Sequence, residues 1–237
     1  MARKQRYEKP VKSGIFVRSL QCKNDSQDFY LQTLAESTVT LCSGPAGTGK
    51  TFLATFAALT ALANNEVNKI LLTRPIVACE DLGYLPGDAN EKVLPYMYPL
   101  LDSIDLLIGQ TKRNELFDNG KIEIVPLAYT RGRTFTNVYA VLDEAQNCTR
   151  EQIKMFLTRI GDGTKLVING DARQSDLPRP GENGLSWAVQ QLRGVSGEIS
   201  VIEFSGRDIV RHPLISTILN RLEGPTDRAA DRHAFYR

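Results

Sequence analysis

The sequence predicts an α/β domain with a mainly parallel sheet flanked by helices. Three observations lead there. Short apolar runs alternate with segments of helical spacing along most of the chain. A glycine-rich turn, Gly44 to Gly49, joins one such run to a long segment rich in Ala and Leu. A further run, Val138 to Leu142, ends in Asp143 and Glu144. Parallel sheets bind their ligands at that C-terminal edge.

Taken in order, residues 1–25 are polar, with scattered Lys and Arg, and read as an accessory segment in which "GIFVRSL" is strand-like. Residues 26–224 form the predicted domain. "SQDFYLQTLAE" has the apolar spacing of a helix capped at Ser26. "VTLCS" is a buried-type strand, and "TFLATFAALTALANN" is a helix apolar around most of its surface. "KILLT" is a strand. It leads into a long proline-rich connection that becomes a helix reaching about Gly109. "IEIVPL" and "VYAVL" are strands, "TREQIKMFLTRI" is a helix capped by Thr149, and "KLVIN" is a strand. "GENGLSWAVQQLRG" is a helix, "ISVIEF" a strand, and "HPLISTILNRLEG" a closing helix with Pro213 in its first turn. Residues 225–237 are a polar tail.

Bulk properties narrow the function classes. The 237 residues suffice for one large domain. A net charge of +2 means that any nucleic-acid surface must be a local patch. The four cysteines form no C-x-x-C pair and only two histidines are present, so reduced thiols in the cytoplasm are expected in place of a zinc or disulfide framework. No apolar run has the length of a membrane span.

The chemistry starts at "GPAGTGKT". Gly44, Pro45, Ala46, Gly47, Thr48, Gly49, Lys50 and Thr51 fit G-x-x-x-x-G-K-[ST] between a strand and a helix. The glycines let backbone N–H groups close on phosphates, Lys50 brings charge to them, and the Thr51 hydroxyl suits Mg²⁺. Asp143 is the expected second metal-holding group. Glu144 is suited to orient and deprotonate a water, which a kinase acting on a small acceptor would not need. If "KLVIN" lies between the glycine-loop strand and the Asp143 strand, Asn169 or Gln174 would sense the terminal phosphate. Otherwise that end is a polar turn.

Together, "GPAGTGKT", "LLTRPIVACEDLGYLPGDANEKVLPYMYPLLDSI", "IEIVPLAYTRGRT", "VLDEAQNCT", "VINGDARQSDLP" and "RDIVRHPLI" resemble the PhoH family of P-loop ATPases over about residues 25–223. The chain's size and the lack of an appended RNA-binding or nuclease domain resemble bacteriophage-encoded members. The resemblance implies a RecA-like core that binds and hydrolyses ATP with Mg²⁺, with links to phosphate starvation and RNA metabolism. It also implies a ring-shaped homo-oligomer, a hexamer by family. Carried over by position, Gly44 to Thr51 bind phosphate and Mg²⁺, and Asp143 and Glu144 are the metal and water acids. Gln146 follows as in helicase-like "DEAQ" motifs. Gln27 would read the adenine edge, and Tyr30 would pack on the base. The chain departs from the family at Cys79 before Glu80 and in "RPGENGL".

Hydrolysis also needs positive charge at the terminal phosphate. The chain has no room for a second motor domain, so Arg207 and Arg211, from its own C-terminal part or from a neighbouring copy, are the expected sources. Arg131, Arg133 and Tyr129, with Arg74 as a further candidate, would grip RNA or single-stranded DNA. A solvated loop or a subunit contact accounts for the same residues. Three readings result: a helicase-like ATPase motor, an ATP-gated oligomeric switch and, with least support, a P-loop kinase.

Overall fold

A computed structural model describes residues 6–7, 13–75, 89–177, 183–195, 197–210, 214, 218 and 221. Strands β1 (Arg6–Tyr7) and β2 (Leu20–Gln21) form a small antiparallel pair. The main sheet has six parallel strands: β3 (Val39–Ser43), β4 (Lys69–Arg74), β5 (Ile122–Pro126), β6 (Val138–Leu142), β7 (Lys165–Gly170) and β8 (Ile199–Glu203). Their spatial order is β5-β4-β6-β7-β3-β8.

Helices cover both faces, and the alternation of side chains along each strand explains why. Cys42, Ile70, Leu72, Tyr139, Val141 and Val167 pack in one core with helices α1 (Asp25–Glu36), α2 (Lys50–Ala63), α3 (Ala89–Ile108) and α4 (Gln110–Asp118). Their strand neighbours Leu41, Leu71, Ala140, Leu142, Leu166 and Ile168 pack in the other, with α5 (Arg150–Leu157) and α6 (Gly184–Leu192). A strand buried on both faces need not alternate apolar with polar: β6 reads as an unbroken apolar run, and β3 is buried at all five positions, Thr40 and Ser43 included. Each fully buried large aliphatic or aromatic side chain contributes roughly 1.5–3 kcal/mol.

The predicted elements appear with adjusted ends. α1 starts earlier than expected: Asn24 is its cap, its Oδ1 accepting from the Gln27 N–H at 2.9 Å. Thr149 caps α5 in a reciprocal box with Gln152. Ten of the fourteen residues of α2 are buried, as its all-round apolar character predicts. α4 has no counterpart among the predicted elements. Only Leu116 of it is buried, so it lacks an apolar stripe, and Arg113 ties it to α3 through Asp105 at 2.6 Å. Among the described residues Cys22, Cys42 and Cys148 are buried and form no disulfide. No helix among the described residues is long and apolar enough to cross a membrane. Most of the expected closing helix and the proline-rich connection lie outside the described residues.

Candidate nucleotide site

β3 ends at Ser43, and the chain turns through Gly44 to Gly49 into α2. Two glycines are required there. A Cβ on Gly44 would stand 2.5 Å from the Phe204 Cβ, and Gly49 caps α2 with φ 88°, in the left-handed region. Three outside elements fix the turn. Gly44 N donates to Gly170 O at the end of β7 (3.1 Å), and Val210 N donates to Gly47 O (2.8 Å). Gln27 Nε2 donates to Thr48 O (2.9 Å).

Lys50 is folded back onto this turn. Its ammonium donates to Gly44 O (2.6 Å), Pro45 O (2.9 Å) and Thr48 Oγ1 (3.3 Å). Burial lowers its pKa from the usual lysine value, while Cys42, Asp171, Asp143 and Glu144 pull the other way. The ammonium therefore occupies positions that an anion's oxygens would satisfy better than neutral carbonyls do.

Asp143 follows β6 directly and is buried. The Thr51 hydroxyl, at the start of α2, stands 2.9 and 3.1 Å from its two carboxylate oxygens. A hydroxyl and a carboxylate are hard oxygen ligands, and Mg²⁺ commonly takes only one or two protein groups beside phosphates and water. The pair fits that ion.

Glu144 is next, with φ 56° and ψ 37°. A non-glycine residue held in that region costs on the order of 1–2 kcal/mol. Its carboxylate accepts from Gln146 Nε2 at 2.6 Å, and Gln146 Oε1 accepts from the Asp171 N–H at 3.0 Å. Gln146 thus joins the acid after β6 to the loop after β7. These groups, with Ala46, Gly47, Gly49 and Gln174, line one cavity of about 370 Å³. A larger apolar cleft of about 470 Å³ borders α1 and α2 and shares none of these residues.

The strand order meets the condition set for Asn169: β7 lies between β3 and β6. Yet Asn169 is fully buried and accepts from Tyr30 OH at 2.6 Å, while its Nδ2 donates to Lys50 O at 3.3 Å. It braces α2 and does not face the cavity; Gln174 does. Tyr30 is also corrected. It is wholly buried, edge-on to Phe204 at 5.6 Å, so it offers no face to a base. Gln27 is buried, with its carbonyl oxygen taken by the Lys23 N–H (2.8 Å) and its amide by the loop. It acts as a brace on the phosphate turn.

The arginines divide. Arg74, proposed for a polynucleotide, is instead at the nucleotide site: its Nη2 and Nε donate to Asp143 Oδ2 at 2.5 and 3.1 Å. Sequence reading missed this, because the signal lies in the strand register. Thr73 pairs with Leu142 across β4 and β6, so Arg74, the last residue of β4, and Asp143, the first after β6, stand side by side. Arg133 forks onto Glu123 with two bonds of 2.9 Å, and Glu123 is held down at about 2 by that contact. Tyr129 and Arg131 are exposed beyond the end of β5. Arg207 is exposed on the segment that reaches Gly47, and Arg211 lies outside the described residues.

The chain is similar in sequence to known proteins. The family described as PhoH-like protein matches residues 19–223. A PhoH-like protein of Bacillus subtilis is 46% identical over 214 residues, 90% of this chain and 67% of that protein. One from Synechocystis is 46% identical over 86% of this chain and 62% of its own length. Protein PhoH of Escherichia coli K12 is 40% identical over 84% and 56%. The chain thus spans 56–67% of the length of these three relatives. Among solved structures, the HK97 bacteriophage large terminase matches with a TM-score of 0.47 at 15% identity, covering 79% of this chain and 40% of that one. The Pyrococcus furiosus Hef helicase domain matches at 0.46 and 15%, covering 77% and 38%. On the family match and these identities, the chain belongs to the PhoH-like protein family.

Proposed function

We propose that the chain binds ATP with Mg²⁺ and hydrolyses it. The observation that carries this reading is the convergence of Lys50, the Thr51–Asp143 pair and Glu144 on one cavity. Lys50 and the backbone N–H groups of the turn would hold the phosphates. Thr51 and Asp143 would hold the metal ion, whose chemistry is to neutralise phosphate charge. Glu144, half-exposed at the cavity and steadied by Gln146, would take the proton of the attacking water. Phosphate release measured for the wild type and for Glu144→Gln tests this. An equal rate in the two removes the role given to Glu144.

Exposed Tyr129 and Arg131, at the C-terminal edge of the sheet, support coupling of hydrolysis to RNA or single-stranded DNA as a helicase-like motor. Stimulation of the ATPase by single-stranded RNA, lost in Arg131→Ala, is the expected result. Arg207 and Arg211 of a neighbouring copy in a ring would complete the charge at the phosphates. Buried cysteines outside any disulfide among the described residues suit a reducing compartment such as the cytoplasm.

An ATP-gated assembly switch is the second reading, and one contact favours it. Val210 N bonds to Gly47 O, and Val210 and Ile209 are exposed apolar side chains. A change in the phosphate turn would therefore reach an apolar surface strip. ATP-dependent assembly without stimulation by polynucleotide selects this reading over the motor.

A further inference from the structure

Arg74 is the one site residue whose partner is wrong for a passive wall. Its side chain is 11% exposed and that of Asp143 is 3% exposed, so the pair is largely withdrawn from water. One carboxylate oxygen of Asp143 receives both Nη2 and Nε of the guanidinium. The remaining nitrogen, Nη1, donates to Tyr96 O of α3 at 2.9 Å, and Glu144 Oε1 is 3.8 Å from Nη2. The guanidinium therefore bridges α3 to both acids after β6. That carboxylate is also the one the Thr51 hydroxyl touches. A fixed positive charge there opposes a divalent cation on the same oxygens, because like charges a few ångströms apart repel strongly away from bulk water.

We infer that Arg74 is an internal counter-ion of Asp143 that must give up that carboxylate before Asp143 can serve a divalent cation. The exchange has a physical logic. Without Arg74, the buried Asp143 charge would lose its directly bonded cation, with Glu144 beside it and Lys50 the remaining positive charge nearby. With it, Asp143 has a paired positive charge that is itself tied to α3 through Tyr96 O. Once released, the guanidinium remains on the wall of the cavity that Lys50 and Thr51 line, so the chain retains a positive charge of its own for phosphate oxygens. Arg74 thus links cation loading to nucleotide loading: each favours the state in which the Arg74–Asp143 pair is open.

The inference rests on the nucleotide-binding reading, and the experiment separates the two. Binding of a fluorescent, non-hydrolysable ATP analogue is measured in EDTA for the wild type and for Arg74→Gln. Mn²⁺ affinity is then measured by electron paramagnetic resonance on the protein without nucleotide. In Arg74→Gln, Mn²⁺ should bind roughly tenfold more tightly, the scale of one partly buried competing charge. Analogue binding in EDTA should weaken in the same variant. These opposite signs are not expected of a merely structural residue, whose loss would weaken both. Unchanged or weaker Mn²⁺ binding in a folded Arg74→Gln overturns the inference. If that variant does not fold, Arg74→Met decides by the same readout: it keeps the aliphatic stem but not the charge, and tighter Mn²⁺ binding is again required. A wild type that does not bind the analogue overturns the nucleotide reading instead.

Discussion

Gln146 Nε2 donates to Glu144 Oε2 at 2.6 Å, across a backbone held at φ 56°. The acid is aimed by its neighbour two residues on. Gln146→Ala should therefore lower turnover about tenfold or more while leaving nucleotide affinity near that of the wild type. Glu144→Gln should lower turnover by about 10²-fold or more with binding kept. Single-turnover hydrolysis beside equilibrium binding of an ATP analogue makes the distinction; a loss of binding in either variant contradicts the assignment.

Lys50 makes three bonds to its own turn in the absence of phosphate. Lys50→Ala is expected to abolish tight nucleotide binding while changing thermal stability little, because the lost partners are carbonyls that water or the turn can satisfy. Isothermal titration and thermal unfolding of the same sample test both halves. Nucleotide binding at wild-type strength would remove Lys50 from the site.

The Tyr30–Asn169 bond ties α1 to β7 behind the phosphate turn. Tyr30→Phe leaves the Asn169 Oδ1 buried without that donor and should cost about 1–3 kcal/mol of stability. Urea unfolding measures it. A base-stacking role predicts the reverse pattern, with stability kept and affinity for adenine nucleotides changed.

Arg133 and Lys69 hold Glu123 down at about 2, below the ordinary glutamate value of about 4.3. Between those values the unfolded chain binds more protons than the folded one, so stability rises with pH there. The contribution is complete above the ordinary glutamate range and is lost as pH falls toward 2. Glu123→Gln should flatten that part of a thermal-unfolding pH profile. The pair is partly exposed, so the effect at neutral pH should stay below about 1 kcal/mol.

The phosphate turn and the two acids were legible because each is a local pattern. A turn that must approach Phe204 closely and enter a helix through a left-handed residue needs glycines at fixed spacing, and Asp143 follows a five-residue buried run. The fold class followed from the alternation of runs and helices for a similar reason: strands buried on both faces need not alternate apolar with polar. α4 was not legible, because a helix with one buried residue carries no periodic signal.

The sequence by itself therefore determined the α/β class, the glycine turn between β3 and α2 and the placement of Asp143 and Glu144 at the end of β6, since backbone geometry and burial dictate residue types over short stretches. Only the tertiary structure decided the partners of the long polar side chains. Arg74 and Arg133 look alike in sequence, one beside a proline and one in an aromatic loop, yet β4 carries Arg74 to Asp143 and β5 carries Glu123 to Arg133. Gln27, Tyr30 and Asn169 likewise became braces because α1 and β7 close behind the turn. An arginine or an amide reaches several ångströms from its Cα, so which group it finds depends on which strand ends lie side by side, and that is set by sheet order.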